Sequence, residues 1–433
     1  MLLSIEKLIY GGDGLARTPA GADGRSMAVF VPFVLPGERV EAEIEPGKAG
    51  FARGAVARLV EPSAERVAAR CPYFQQCGGC HYQHIPYRRQ LEFKEGILRE
   101  TLQRVAKIEL RGEIQLHASP PWHYRNRTRL QVKTAPEFAL GYFRFGSHEL
   151  LPVQECPISS PLINRAIARL VELRGCDCPA QVEEIEFFAD AADERLLAWA
   201  FCSRGLDTKN LVRWAETLQR ELAEIAGVSC FPSRRRPEDE APADMKPLAQ
   251  VGERAIRYRV GETDYRVSTG AFFQVNRHLV DELVSVVTSN AGGEMALDLY
   301  GGVGLFSAAL ARSFHNIFAV EASQISHADL VHNVPANVKA VGTRTEDYLR
   351  GRPVRKTPDL VVIDPPRTGV GKLVTRSLVE IGAPRLRYVS CDPATLARDL
   401  APLLASGYRI EEAHLFDLFP QTFHIESVML LAR

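Results

Sequence analysis

Residues 1–62 alternate apolar and polar side chains in short runs that are separated by glycine-containing turns. Such runs lie at residues 2–10, 28–32 and 38–44, with turns at residues 11–14 and 35–37. Alternation with a period of two predicts half-buried β-strands, and closely spaced short strands are typical of small antiparallel barrels. The pattern therefore predicts a small β-barrel over residues 1–62.

The next stretch, residues 63–262, predicts a β-rich middle domain. Strand-like runs lie at residues 128–133, 184–188 and 196–201, and one helical segment lies near residues 211–225. An earlier helix, over about residues 86–107, could pack on the domain that follows. Apolar residues at helical spacing mark that helix; they are Leu91, Ile97, Leu98, Leu102 and Val105.

From residue 263 onward the strands become short apolar runs that end on a polar residue. These runs lie at residues 295–298, 316–321, 360–364 and 386–390, with helical segments between them. Near-continuous apolar strands belong to a parallel sheet that is covered on both faces, and such sheets bind ligands beyond the carboxyl ends of their strands. We therefore predict a Rossmann-like α/β domain over residues 263–433. Its crevice should be lined by the residues at these ends, which are Asp298, Glu321, Asp364 and Cys391.

Charge and hydropathy narrow the class of protein. The 433 residues include 53 basic and 53 acidic side chains, so any nucleic-acid contact must come from local patches. A basic segment at residues 124–129 is one candidate, although on charge alone a solvated strand edge is the better interpretation. A second basic run at residues 233–237 continues into an acidic, Pro- and Ala-rich stretch, and together residues 233–244 predict a flexible surface loop. No long apolar run or secretory signal is present, so we expect a cytoplasmic protein without membrane contact, and nothing indicates an obligate protein partner.

Four of the nine cysteines have the spacing of a metal site. Cys71, Cys77 and Cys80 lie within ten residues of one another, and Cys156, which precedes a proline, follows much later. Four thiolates can hold tetrahedral zinc or a [4Fe–4S] cluster. The two glycines between Cys77 and Cys80, and the Cys-Pro pair, favour the cluster. Zinc remains an alternative to the cluster, and four thiols without a metal are the least expected outcome.

The C-terminal domain carries the residues for group transfer. Gly301-Gly-Val-Gly304, with Glu321 about twenty residues later, predicts a nucleotide-cofactor turn that fits either NAD or S-adenosylmethionine. The loop Asp364-Pro-Pro-Arg-Thr-Gly369 favours methyl transfer, since it places a strand-end acid beside a rigid turn. Cys391 is a candidate nucleophile and Glu426 a candidate base, although an isolated cysteine is more often a small buried hydrophobe.

With these motifs in this order, the chain resembles the RNA 5-methyluridine methyltransferase family, in particular its bacterial 23S ribosomal RNA branch, over essentially its whole length. The resemblance implies that residues 1–62 form a TRAM domain, a barrel of the oligonucleotide-binding type. The resemblance also matches residues 124–127 to a motif of the middle domain. It further implies the following roles: Cys71, Cys77, Cys80 and Cys156 as [4Fe–4S] ligands, Gln274, Tyr300, Glu321 and Asp364 as cofactor contacts, Cys391 as nucleophile and Glu426 as catalytic base.

The activity that the resemblance implies is methylation of uracil C5 in structured RNA by S-adenosylmethionine, with 23S rRNA as substrate. Two alternatives stay open: a methyltransferase for the T-loop of tRNA, and a non-catalytic, cluster-bearing RNA-binding protein. Three positions depart from the family pattern. Gly301 stands where cysteine is common, Leu305 replaces a polar residue, and Arg344 occupies a place where relatives often carry Asp or Asn near the adenine.

Overall fold

A computed structural model describes residues 1–20, 25–47, 50–203, 205, 207–233, 246–351 and 356–433. Apart from Ser233, the surface loop predicted at residues 233–244 lies outside the described residues. In the part of the chain that the structure describes, no helix is both long and apolar enough to cross a membrane.

The N-terminal strands close into a barrel in the order β1-β2-β3-β5-β4, which confirms the predicted barrel. Its pairs are antiparallel as expected except for β3 and β5, which run parallel. Every second residue points inward, so Leu3, Ile5, Val29 and Val31 are buried. The barrel strands are β1 (Leu2–Leu8), β2 (Asp13–Arg17), β3 (Ala28–Pro32), β4 (Arg39–Pro46) and β5 (Phe51–Glu61).

A seven-stranded sheet forms the middle of the molecule, in the order β13-β12-β11-β10-β7-β8-β9. Two helices, α2 and α3, cover one face, and the other face packs against aromatic residues of the C-terminal part. The elements of this stretch are α1 (Tyr87–Ala106), β6 (Ile114–His117), β7 (Arg127–Lys133), β8 (Ala139–Phe143), β9 (Leu150–Pro152), α2 (Pro161–Glu172), β10 (Val182–Ala189), β11 (Leu196–Cys202), α3 (Thr208–Glu221), β12 (Ile225–Pro232) and β13 (Ala249–Gly252).

The C-terminal part contains a two-stranded hairpin, β14-β15, and an eight-stranded sheet in the order β18-β17-β16-β19-β20-β22-β21-β6. Strands β16 to β20 run parallel to one another, whereas β22 runs antiparallel between β20 and β21. This is the Rossmann-like domain that the apolar runs predicted. Its elements are β14 (Ala255–Val260), β15 (Thr263–Ser268), α4 (Val280–Val287), β16 (Gly293–Leu299), α5 (Leu305–Leu310), β17 (Phe314–Glu321), α6 (Gln324–Asn333), β18 (Val338–Gly342), α7 (Thr345–Arg350), β19 (Leu360–Ile363), α8 (Gly371–Ile381), β20 (Arg385–Ser390), α9 (Pro393–Ala405), β21 (Arg409–Phe416) and β22 (Glu426–Ala432).

Two elements from the middle of the sequence join the C-terminal sheet. Helix α1 contributes Leu98 and Leu102 to the core that also holds Leu400 and Leu403 of α9. Strand β6 pairs in parallel with β21 at the sheet edge. The sheets therefore do not follow the chain order at this point, and the division into domains at residues 62 and 262 remains a proposal.

Candidate active site

The strand-end residues meet at one edge of the C-terminal sheet. Strands β17, β16, β19 and β20 are consecutive neighbours and parallel. Asp298 lies near the end of β16, Glu321 ends β17, Asp364 follows β19 and Cys391 follows β20. Their charges act on one another across this edge: Glu321 adds to the raised pKa of Asp298, Asp298 to that of Asp364, and Asp364 to that of Cys391.

Cys391 is a half-buried thiol in an acidic environment. Burial, together with the nearby carboxylates of Glu426 and Asp364, raises its pKa to about 12. The Arg367 guanidinium opposes this shift. The thiol is therefore protonated at neutral pH in the RNA-free protein, and Arg367 is the positive group that favours the thiolate.

The backbone around Cys391 is held on both sides. Asp392 caps helix α9, because its Oδ1 accepts hydrogen bonds from the amides of Ala394 at 3.0 Å and Thr395 at 2.8 Å. The Cys391 carbonyl accepts a hydrogen bond from the hydroxyl of Tyr10 at 3.4 Å. Tyr10 lies between β1 and β2, so the N-terminal barrel directly contacts the loop that carries the thiol.

Glu426 is the first residue of β22 and is only 5% exposed. Burial raises the pKa of its carboxyl group well above the ordinary value, and Asp364 raises it further while Arg367 opposes the shift. A carboxylate in such a place holds a proton strongly once it receives one, which is the property that a general base near neutral pH requires.

The glycine turn after β16 leaves room for a ligand. Gly302 has φ +55° and nothing lies near the position of an added Cβ, whereas a Cβ on Gly304 would lie 2.8 Å from Leu330 Cδ1. Glu321 is oriented by this turn, since its Oε2 accepts from the Gly302 amide at 2.8 Å and its Oε1 from the Ser323 amide at 2.6 Å. Its position is therefore fixed before any ligand binds.

Asp298 has one satisfied and one unsatisfied carboxylate oxygen. Its Oδ2 accepts a short hydrogen bond from the Ser307 hydroxyl, whereas its buried Oδ1 has no hydrogen-bond partner. Buried polar atoms in folded proteins are nearly always paired, so Oδ1 points to a ligand or water at this position. The strand-end position of Asp298 predicted that it lies at the crevice, but no sequence motif indicated a role for it.

Gln274 and Tyr300 flank these carboxylates. The Gln274 Nε2 lies 3.5 Å from Asp364 Oδ2, and its backbone carbonyl accepts a hydrogen bond from Asn126 Nδ2 at 3.1 Å. Burial raises the pKa of the Tyr300 phenol, which also contacts Thr345. Four predicted residues are thus linked by a hydrogen bond or by charge, namely Asp298, Gln274, Glu321 and Asp364, whereas the Tyr300 phenol lies near Thr345 and Glu346.

The crevice is acidic. Burial raises the pKa of Asp364 to about 7, with repulsion from Asp298 adding to the shift. Burial likewise raises the pKa of Asp298 to about 6, against the hydrogen bonds from Ser307. Carboxylate acceptors in this number suit ribose hydroxyls and a positively charged group, and S-adenosylmethionine has both.

The four spaced cysteines also come together in space. Burial is the main factor that raises the pKa values of Cys71, Cys77 and Cys80, the second to about 11, and the nearby Cys156 adds to each shift. Cys77 Sγ accepts from the Gly79 amide at 3.4 Å. Among the described residues, no three His, Cys, Asp or Glu side chains form a group that could hold a metal ion.

The basic segment at residues 124–129 is neither a free phosphate patch nor a solvated edge. Arg127 Nε lies 2.5 Å and Arg129 Nη2 lies 2.6 Å from the carboxylate of Glu186, which is 4% exposed. The expected solvated strand edge was wrong for these two side chains, because β7 pairs with β10 and β8 on its two sides and both arginines bind Glu186 of β10. The sequence could not show this pairing, since Glu186 lies 57 or more positions away. Contact of the segment with nucleic acid stays a prediction. Arg367 was overlooked, although it lies inside the Asp364–Gly369 motif.

Two family descriptions match the sequence. The model for tRNA (Uracil-5-)-methyltransferase matches residues 86–348 and 355–433, and the model for the TRAM domain matches residues 1–57. Together they cover most of the chain.

Individual relatives align over nearly the full length. A 23S rRNA (uracil(1939)-C(5))-methyltransferase RlmD from Chromohalobacter salexigens is 34% identical, with 100% of this chain and 89% of the relative covered. An uncharacterized RNA methyltransferase from Aquifex aeolicus is 31% identical, with 99% and 97% covered. Among solved structures, the Pyrococcus abyssi tRNA (uracil-54, C5)-methyltransferase in complex with S-adenosyl-L-homocysteine superimposes with a TM-score of 0.74, 25% identity and 100% coverage of both chains.

Proposed function

The chain belongs to the RNA uracil-5-methyltransferase family, which makes it an S-adenosylmethionine-dependent enzyme for uracil C5 in RNA, and from that premise we propose that it modifies 23S rRNA through a covalent bond to Cys391. The observation that carries the proposal is the position of the Cys391 thiol at the strand edge, next to Glu426 and Asp364. A nucleophile and a base beside a cofactor crevice are what this reaction requires.

C5 of uracil is too weak a nucleophile to take a methyl group on its own. Cys391 therefore supplies a nucleophile that attacks C6 and activates C5. The uracil must first leave its stack or loop to enter the crevice. The Cys391 thiol gives up its proton to solvent, and the thiolate adds to C6, so that an S–C6 bond forms and the electron pair of the C5–C6 double bond makes C5 enolate-like. Arg367 lowers the pKa of the thiol and so favours the thiolate. The methyl donor, when bound, would supply an electrophilic methyl group to C5, and the electron pair of the broken S–CH3 bond would stay on the donor sulfur.

Glu426 completes the reaction. After methylation C5 carries both the new methyl group and its original hydrogen. Glu426 takes that hydrogen as a proton, the electron pair restores the C5–C6 double bond, and the thiolate of Cys391 leaves C6. The burial of Glu426 stabilises its protonated form, which matches this role.

The cofactor contacts are proposed from the crevice side chains. Glu321 offers oriented carboxylate oxygens for ribose hydroxyls, and Asp298 offers its unpaired Oδ1. Gln274 and Asp364 lie between this region and Cys391. Tyr300 contributes a ring surface next to the turn. No residue is assigned to the adenine ring, because Arg344 is exposed and forms an ion pair with Glu346.

We expect that deleting the gene removes 5-methyluridine from 23S rRNA and leaves it in tRNA. The reason is the 34% identity to a protein named as a 23S rRNA methyltransferase, which exceeds the 25% identity to the tRNA enzyme. The measurement is nucleoside mapping of rRNA and tRNA from deletion and complemented strains. Loss of the modification from tRNA alone would assign the tRNA alternative. Unchanged rRNA and tRNA, with no transfer to total RNA in vitro, would support the non-catalytic alternative.

We also propose that Cys71, Cys77, Cys80 and Cys156 hold a [4Fe–4S] cluster. The proposal is supported by four thiols that influence one another electrostatically and by the loop spacing. The uracil reaction needs no electron transfer, so the role of the cluster would be to fix this loop on the middle sheet.

Anaerobically purified protein is expected to contain about four iron atoms per chain and to absorb in the visible range. Cys156→Ala should lose most of the iron, because it removes the ligand that is distant in sequence. Cys178→Ala is a matched control, since this half-buried thiol lies in the same part of the chain and outside the set. Stoichiometric zinc without iron would refute the assignment.

A further inference from the structure

The loop that leads into Glu426 is held by side chains from outside its own sheet. This loop, residues 417–425, connects β21 to β22. The ammonium group of Lys94, from α1, donates to Asp417 Oδ1 at 2.6 Å and to the Phe419 carbonyl at 3.0 Å. The side chains of Lys94 and Asp417 are both 0% exposed. A buried ion pair of this kind has few alternative geometries, because neither charge can be left without its partner.

The middle of the loop is held by a second residue of α1. Gln90 Nε2 donates to Gln421 Oε1 at 3.0 Å, and the backbone amide of Gln421 donates to Gln90 Oε1 at 2.9 Å. The two residues therefore form a reciprocal pair. Gln421 has φ +67°, a conformation that non-glycine residues seldom adopt and that costs energy unless the surroundings enforce it. Gln90 and Gln421 are at most 3% exposed, so water does not compete for these bonds.

Further contacts close the loop on its remaining sides. The Gln421 carbonyl accepts from the amides of His81 and Tyr82, both at 2.9 Å. The Pro420 carbonyl accepts from the Tyr124 hydroxyl at 3.0 Å. Each donor lies more than 290 residues earlier in the chain. The loop shape is thus set by α1 and by the loops before and after that helix.

We propose that Gln90 and Lys94 are positioning residues that set the place of the Glu426 carboxylate for removal of the C5 proton. Glu426 is the first residue of β22, so the strand ladder fixes it from one side and the loop fixes it from the other. Strand ends open more readily than strand centres, which leaves the loop contacts to decide the position of the carboxylate. The inference rests on the proposed function of Cys391 and Glu426.

The test is Gln90→Met, which keeps the length of the side chain and removes both hydrogen bonds to Gln421. It also removes the bonds from Gln90 Nε2 to the Tyr82 and Ile85 carbonyls, which lie just before α1. We expect the turnover rate to fall about 10- to 100-fold, the range that misplacement of a catalytic group by about 1 Å produces. The methylated protein–RNA adduct should accumulate, whereas KM for RNA and S-adenosylmethionine binding should stay close to those of the unmodified protein. Normal formation of the adduct with slow release of the RNA is a defect that general loss of structure does not produce.

Two further variants make the result specific. Gln90→Glu should restore most of the turnover, because a buried carboxyl group takes up a proton and then keeps one acceptor and one donor. Leu98→Ala is the matched control: it removes core packing from the same helix two turns away and leaves the loop contacts in place. This control should change thermal stability without adduct accumulation.

Measuring Glu426→Gln in parallel separates the positioning role of Gln90 from the role of Glu426 as base. Adduct accumulation in Glu426→Gln but not in Gln90→Met overturns the positioning role alone. Absence of an adduct in both overturns the role of Glu426 and the inference with it. If Gln90→Met does not fold, Gln421→Ala removes the bond from Gln90 Nε2 to Gln421 Oε1, while the backbone amide of Gln421 still donates to Gln90 Oε1. Normal turnover without adduct accumulation in that variant would equally overturn the proposal.

Discussion

Replacing Cys391 by alanine is expected to abolish methyl transfer while the binding of S-adenosylmethionine persists. Without the thiol no S–C6 bond forms, so C5 stays too weak a nucleophile to take the methyl group. The other groups near this position are the carboxylates of Glu426 and Asp364 and the guanidinium of Arg367, none of which replaces a thiolate. The loss should be about 10⁴-fold or more, the scale seen when an enzyme loses its nucleophile.

Methyl transfer to in vitro transcribed RNA and cofactor binding by calorimetry check this result. Cys230→Ala is the matched control, because it removes a fully buried thiol in β12 that faces the middle core. Retained methylation by Cys391→Ala would contradict the covalent mechanism. In unmodified protein, RNA with 5-fluorouridine at the target should form a denaturation-resistant adduct, since fluorine cannot leave C5 as a proton does.

The parts of this site that lie at strand ends were predictable from sequence. A buried parallel strand must be apolar, so the first polar residue after each apolar run marks the strand end. Parallel neighbours bring such ends to one edge, which is why Asp298, Glu321, Asp364 and Cys391 could be placed together before the structure was known. The barrel was predictable for a similar reason, because every second residue of its strands must be apolar to face the one buried interior.

Contacts between distant segments were not predictable in this way. The Gln90–Gln421 pair joins residues 331 positions apart, and the Lys94–Asp417 pair joins residues 323 positions apart. Periodicity predicts that a residue of α1 is buried, but it carries no information about which partner satisfies a buried amide or ammonium group. The pairing of β6 with β21 escaped prediction because a four-residue edge strand has almost no pattern.

The set of four cysteines lies between these two cases. Spacing alone indicated that Cys71, Cys77 and Cys80 act together, because they share one short loop. Cys156 lies 76 residues after Cys80, and only the proline that follows it indicated a fourth ligand before the resemblance gave it the same role. In the structure it is near the other three thiols, in a segment fixed by Asn164, whose Oδ1 accepts from the Cys156 amide at 2.7 Å.

Replacing Glu426 by glutamine is expected to stop the reaction after methyl transfer and before release. The amide has the shape of the carboxyl group but is a negligible base. Cys391 should therefore still add to C6, and C5 should still be methylated. The C5 proton then stays in place, the C5–C6 double bond cannot re-form, and the thioether persists. Multiple turnover should fall about 10²- to 10⁴-fold, the usual contribution of a general base.

The distinguishing measurement is denaturing gel electrophoresis with methyl-labelled cofactor and natural uridine in the RNA. A gel-stable species that carries the label supports the role of Glu426, because label reaches the adduct only if methylation precedes the block. The matched control, Glu411→Gln, changes an exposed carboxylate of β21 and should turn over normally.

The alternative role for Glu426 is only to stabilise the turn at residues 420–422. Glutamine would fill that structural role almost as well, so normal turnover without an adduct in Glu426→Gln would exclude proton removal by this residue. An unlabelled adduct would place the block before methyl transfer and would assign Glu426 to an earlier step.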